Sequence, residues 1–401
     1  MRLHGIHDGR LYASTARTLY TEQRTNGSDG VGRFVADGDL PNPRLAGWFR
    51  RELFTGSPWR LLSRLVGRFP TTNVWRDDAV TLATLNRWLV ASHDGERTWT
   101  PVYELPRSSG PMGVLPTACC RDGDRLLLGE YPLGADTAHL LVSTDDGRSW
   151  RRLLAVDGVR HVHSVLRDPY TDDVWVTTGD RDSESRLCLL RDGEKGSETA
   201  SEGSDDAGDD EHDGPWLDVV GTGSQRWRAV DLAFTEDAVL WGMDCLYADE
   251  NRIQRLDRET LAEREPGERL DEDAIETVGV ASGSVFYAET WDHDGEQYVA
   301  LVTATETGTD STADGDRAVN RTGTADVLVS SSASGFERWE TLASYQKKPA
   351  LADSLPGVES ASGYVYVAAD ERGLFVNPFN TAEDDGKVLR VSSERVASLL
   401  E

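Results

Sequence analysis

Two histidines two residues apart, in Arg160-His-Val-His-Ser-Val165, form the segment of the chain most loaded with chemistry, and they are two of only eight histidines. On an extended strand, side chains at i and i+2 face the same side, so His161 and His163 address one point. Imidazoles there can act as general acid or base, or as metal ligands. Five short apolar runs then end in an acid: Glu130-Tyr131 after LLLG, Asp180 after VWVTTG, Asp244 after VLWGM, Glu289 after VFYA and Asp370 after YVYVAA. Arg228, in Trp227-Arg-Ala-Val230, adds a guanidinium at the head of another apolar run. Paired carboxylates such as Glu130 with Asp180, or Asp244 with Glu289, are what glycoside hydrolysis requires on either side of the scissile bond. Each residue also has a plainer role, since an acid at a strand end is a turn-former and a histidine in a strand can be a satisfied core residue. Asp182, Glu184 and Tyr247 are further candidates beside these.

The elements that must position these groups are strands. Apolar and polar residues alternate with period two, punctuated by Asp/Gly turns, in seven candidate units at 1–40, 72–106, 115–156, 161–221, 228–262, 275–345 and 357–393. Each unit has room for a four-stranded antiparallel sheet, and such repeats close radially into an all-β, seven-bladed β-propeller. A six-bladed ring is the alternative, with the terminal units completing one another. In a four-stranded blade, the start of the innermost strand and the end of the second strand emerge on the same face, around the channel. Reading VWVTTG, VLWGM, VFYA and YVYVAA as second strands therefore gathers Glu130, Tyr131, His161, His163, Asp180, Arg228, Asp244, Glu289 and Asp370 at one mouth.

Two stretches are near-copies of one turn: Ser92-His-Asp-Gly-Glu-Arg-Thr-Trp99 and Ser143-Thr-Asp-Asp-Gly-Arg-Ser-Trp150. The acid and the leading serine can bond the turn's own N–H groups, glycine supplies positive φ, and the tryptophan is expected to bury its ring with a partner for its indole N–H. A third stretch, Ser332-Ala-Ser-Gly-Phe-Glu-Arg-Trp339, keeps the serine and tryptophan but lacks the acid. These segments resemble the Asp box, S-x-D-x-G-x-[ST]-W, of the BNR-repeat propellers, a group that includes sialidases and other glycoside hydrolases. The first copy departs from it with Glu96 where glycine is expected. The resemblance implies a propeller fold and places the boxes away from the active face. The sialidase arginine signature has no good counterpart, Arg68-Phe69-Pro70 being the nearest. With an acidic mouth, sialidase activity on an anionic sugar is not expected.

The chain of 401 residues carries 70 Asp and Glu against 42 Lys and Arg, a net charge of -28. Its only lysines are Lys195, Lys347, Lys348 and Lys387, the acid-rich, lysine-poor pattern of proteins adapted to molar salt. Such charge excludes nucleic acid as an expected partner. No basic-then-apolar leader and no apolar run of membrane-spanning length is evident, so no membrane partner and a cytoplasmic location are expected. Cys119, Cys120, Cys188 and Cys245 lack metal-type spacing. They read as small buried hydrophobes, a Cys188–Cys245 bridge being the alternative. Residues 45–66 have helical apolar spacing and are expected as a helical insertion; 194–214 and 305–323 are acidic or polar and expected as disordered loops within one propeller domain. No motif requires a cofactor, although a divalent cation suits an acidic channel. Two functions follow: a hydrolase-like or lyase-like propeller acting on a neutral glycan or other small molecule, or a non-catalytic binding scaffold.

Overall fold

The computed structural model describes residues 1–15, 17–24, 30–41, 72–85, 87–109, 113–193, 214–245, 248, 250–305, 323–349 and 362–401. The chain forms a seven-bladed β-propeller. Its antiparallel sheets span Arg2–Asp39, Val74–Glu104, Cys119–Ala155, His161–Thr222, Ala233–Ala281, Val285–Gln346 and Tyr364–Val391, here blades 1 to 7. Six sheets have four strands, and the seventh has three among the described residues. In every blade the first strand lies innermost, and these strands line the central channel. The expected helix at 45–66 and most of the two expected loop insertions lie outside the described residues. Helices among the described residues are few: the principal ones are α1 (Arg258–Glu263) and α2 (Ser393–Leu400), and none is long and apolar enough to cross a membrane.

Three strand assignments differ from the sequence reading. Glu276–Ala281, expected to open a new unit, is the outer strand of blade 5. Helix α1 interrupts the chain just before it and disguises it as a fresh start. The run Val285–His293 is therefore an innermost strand rather than a second one, and Tyr364–Asp370 is likewise the innermost strand of blade 7. No disulfide joins Cys188 to Cys245, so the alternative bridge does not form.

Large apolar side chains fill the wedges between blades. Trp175 of blade 4, Trp241 of blade 5 and Trp227 in the connection between them are fully buried in one cluster, each contributing on the order of 5 kcal/mol of burial. The blades also approach closely where a second strand ends. A Cβ on Gly129 would lie 2.4 Å from Val162 Cγ1, and one on Gly242 would lie 2.3 Å from Val285 Cγ2. Blades 1 and 7 meet through side chains and chain ends: Leu3 N donates to Asn377 Oδ1 at 2.7 Å, the Met1 ammonium to Gly386 O at 2.7 Å, and the Arg2 guanidinium lies over the Tyr366 ring.

The repeated turns share one construction. In the second, Ser149 N donates to Asp145 Oδ1 at 2.9 Å, Ser149 Oγ to Asp145 Oδ2 at 2.6 Å, and Gly147 N to Ser143 Oγ at 2.8 Å. In the first, Thr98 N, Thr98 Oγ1 and Glu96 N make the same bonds at 2.9, 2.6 and 3.0 Å. Two successive left-handed residues reverse the chain in all three copies, with φ of 69° and 67° at Gly95 and Glu96, 56° and 78° at Asp146 and Gly147, and 63° at both Gly335 and Phe336. Glycine needs to occupy only one of the two positions. Glu96 occupies the other because its carboxylate accepts from Arg76 Nε at 2.6 Å, Arg76 Nη2 at 2.7 Å and Thr81 Oγ1 at 3.1 Å. Trp150 donates its indole N–H to Gly147 O at 3.2 Å, whereas those of Trp99 and Trp339 find no partner.

Candidate functional site

The inner strand of blade 4 (His161–Arg167) places both imidazoles at the upper mouth, almost wholly buried. They face one another at 3.1 Å, Nε2 to Nε2. His161 Nδ1 lies 3.3 Å from Pro132 O, and His163 Nδ1 lies 3.0 Å from Ala229 O. A carbonyl only accepts, so each Nδ1 carries the hydrogen, and in the neutral ring Nε2 is left as a bare lone pair pointing inward. The second strand (Val174–Gly179) ends just before Asp180 and delivers its carboxylate to the same point. Asp180 Oδ2 lies 3.3 Å from His161 Nε2, and Oδ1 lies 3.5 Å from His163 Nε2. Gly179 makes room for this approach: a Cβ there would lie 2.9 Å from His163 Cε1 and 2.9 Å from Arg228 Cγ.

Two guanidiniums clamp the cluster from outside. Arg228 Nη2 donates to Asp180 Oδ1 at 3.0 Å and to Asp244 Oδ2 at 2.8 Å, while Nη1 donates to the Asp180 carbonyl at 2.9 Å. Arg160 Nη2 lies 2.7 Å from Asp180 Oδ2, and its Nε donates to Glu184 Oε2 at 3.2 Å. Tyr131 covers the cluster by stacking on His161, with ring centroids 4.0 Å apart. Burial alone would raise the Asp180 carboxyl, but the charged Arg228 beside it helps to hold it well below the usual carboxylate range. Burial lowers His161, and neighbouring His163 opposes its protonation further while Asp180 pulls the other way, so the ring is neutral at neutral pH. Burial, with Asp180 and Asp244 nearby, keeps the Tyr131 phenol protonated.

Six of the nine residues expected at the mouth therefore come together: Tyr131, His161, His163, Asp180, Arg228 and Asp244. Three do not. Glu130 follows its strand beside Tyr131, and neighbouring residues on extended chain face opposite ways. Its carboxylate turns outward, accepting from Tyr103 Oη at 3.0 Å and bonding His139 Nδ1 at 2.8 Å, beside a surface cavity of about 470 Å³. Asp370 ends an inner strand rather than a second one, so it sits at the opposite face, paired with Arg372 at 2.7 Å. Glu289 lies midway along the inner strand of blade 6 and lines the channel interior with Asp231, around a cavity of about 160 Å³. Burial raises Asp231 to about 7, and burial with the neighbouring Asp231 charge raises Glu289 to about 8. Tyr247 lies outside the described residues. Arg160 and Asp231 were not anticipated; the signal for Arg160 was its place directly before the histidine pair, and for Asp231 its place at the head of the blade 5 inner strand.

No family model matches the chain, and no curated protein matches it in sequence. Solved structures resemble it at low identity and with TM-scores below 0.5. PorZ, a surface component of the type-IX secretion system of Porphyromonas gingivalis, is 13% identical with a TM-score of 0.46, over 97% of this chain and 46% of that one. A xyloglucanase from Xanthomonas campestris is 13% identical with a TM-score of 0.40, over 79% and 42%. An α-L-arabinanase from Cellvibrio cellulosa is 10% identical with a TM-score of 0.35, over 72% and 98%. The similar structures thus include glycoside-hydrolase propellers alongside a secretion-system component, and the likeness bears on the fold alone.

Proposed function

We propose that this chain is a binding propeller whose upper mouth takes a small polar ligand of the carbohydrate class without hydrolysing it. The observation that carries this reading is the joint placement of Tyr131, His161, Asp180, Arg228 and Asp244 by blades 3, 4 and 5 at one end of the channel. Charged donors and acceptors fixed in one ion-paired network, beside an aromatic ring, suit the hydroxyl groups of a sugar. The carboxylates there do not suit inverting two-carboxylate hydrolysis. Asp180 is held ionised, so it is no proton donor. Asp180 and Asp244 share one nitrogen of Arg228 at 3.0 and 2.8 Å, which brings those oxygens nearer than the roughly 6.5–9.5 Å of an inverting pair.

A hydrolytic reading is favoured by one observation. Asp231 and Glu289, raised to about 7 and about 8, are carboxyls of the kind that can donate a proton near neutral pH. We also infer that the chain is a divergent Asp-box propeller, on the shared left-handed pair in its three turns. Its lysine-poor, acidic surface favours work in concentrated salt. The test is a panel of neutral and basic oligosaccharides in molar KCl, followed by calorimetry for binding and by reducing-end release for cleavage. Binding without cleavage, weakened at least tenfold in Asp244→Asn, is expected. Turnover abolished by Glu289→Gln would replace this reading with the hydrolytic one, and no binding to any member would overturn both.

A further inference from the structure

The three inward groups of the histidine cluster have a property that the glycan reading leaves unused. With both Nδ1 hydrogens directed at backbone carbonyls, the atoms that converge are all lone-pair donors: His161 Nε2, His163 Nε2 and the Asp180 carboxylate. Such atoms repel at close range unless a positive centre sits among them. Their separations of 3.1, 3.3 and 3.5 Å are those of neighbouring ligands around one ion. Bonds of about 2.1 Å put adjacent ligands roughly 3.0 Å apart in an octahedron and roughly 3.4 Å apart in a tetrahedron. The carbonyls of Pro132 and Ala229 behind the rings fix tautomer and orientation, as the outer partners of ligating histidines do.

We propose that His161, His163 and Asp180 bind one divalent first-row transition metal at the upper mouth, with its remaining coordination positions open. Two imidazoles and one carboxylate suit such ions better than magnesium or calcium, which take oxygen ligands. The surrounding charge accommodates a dication. Arg160 and Arg228 are the guanidiniums bonded to the cluster, and they face three carboxylates, Asp180, Asp244 and Glu184. Arg160 Nη2 lies 2.7 Å from Oδ2 and Arg228 Nη2 lies 3.0 Å from Oδ1, and Tyr131 stacks on His161. The competing arrangement is a proton shared between the two Nε2 atoms. The exposed group His7, Asp8 and Asp78 is the other set of metal-type donors among the described residues, and it serves as the internal control.

The inference stands apart from the glycan reading, because its test contains no sugar. Full-length protein stripped with chelator in molar KCl is titrated with Co²⁺ and with Zn²⁺ by calorimetry, and the Co²⁺ form is followed by its visible absorption. One ion per chain is expected, with at least hundredfold weaker binding in His161→Gln and in His163→Gln and no change in His7→Ala. X-ray absorption at the metal edge of the wild-type protein, which needs no variant to fold, should show two imidazole ligands. Absence of stoichiometric binding, binding as tight as wild type in both glutamine variants, or an oxygen-only ligand shell would each overturn the proposal and leave the shared proton in its place.

Discussion

Replacing Glu96 by glycine restores the residue that the repeated turn leads one to expect, and the structure predicts that the restoration destabilises the protein. Glu96 has a left-handed φ of 67°, which costs a residue with a side chain about 1–2 kcal/mol that glycine would recover. Against this stands its bidentate bond to Arg76, at 2.6 and 2.7 Å, with side chains 5% and 10% exposed, together with Thr81 Oγ1 at 3.1 Å. Breaking a buried pair from one side costs about 3–5 kcal/mol. The low end applies because Arg76 retains Asp37 at 3.2 Å. The net loss for Glu96→Gly is then about 2 kcal/mol, which lowers the unfolding temperature of a chain this size by roughly 2–3 °C. Glu96→Gln should fall further, since it loses the charge and keeps the strain. Thermal and denaturant unfolding in molar KCl measures both, and a pair this buried should persist at that salt. A Glu96→Gly protein as stable as the wild type, or more so, would refute the view that the ion pair compensates the strained turn.

Three further outcomes are expected. Arg258 donates to the fully buried Asp168 at 2.6 and 2.9 Å, tying α1 to the first hairpin of blade 4, so Arg258→Met should cost about 3–5 kcal/mol in denaturant unfolding; the double variant with Asp168→Leu should recover most of it. Asp231 and Glu289, raised by burial to about 7 and about 8, hold protons that the unfolded chain has released above about pH 4. Their contribution to stability is thus complete below about pH 4 and is lost as pH rises through 7 to 8, and the difference in stability between wild type and Asp231→Asn/Glu289→Gln should slope across that window; identical pH profiles would contradict it. A Cβ at Gly179 meets His163 and Arg228 at 2.9 Å, so Gly179→Ala should weaken Co²⁺ binding at least tenfold in calorimetry although all three ligands remain.

The strands, the turns and the number of blades were legible because each depends on local rules: alternation of apolar residues, and a reversal marked by a leading serine, a glycine and, in two of its three copies, an acid. Strand rank within a blade depends on something less local. Helix α1 lies between the third and outer strands of blade 5, and it made Glu276–Ala281 look like the start of a unit. That single displaced boundary moved Glu289 from the channel interior to the mouth in the sequence reading, and a similar misranking moved Asp370 from the opposite face. Glu130 failed for a different reason. Its end-of-strand position was read correctly, but the alternation that identified the strand also forbids Glu130 and Tyr131 from facing the same way. Helix α2 was overlooked despite its cue, Ser392, whose side chain accepts from Arg395 N at the cap. The meeting of Arg160 with Asp180 required the loops of blade 4 to fold against each other, which spacing alone does not convey.

The ring is fastened where its last sheet returns to its first, and among the described residues no strand from one end is woven into the sheet of the other. Asn377 and the backbone around Gly386 act there as a clasp, beside the buried Arg372–Glu22 pair and an apolar cluster shared by the two blades, in place of a zipper of strand bonds. A hoop closed this way can spring open at one joint while every sheet stays whole. The joint involves blades 1 and 7, whereas the histidines and their guanidiniums ride on blades 4 and 5, far around the rim. Loosening of the hoop would therefore reach the ligand-bearing arc last.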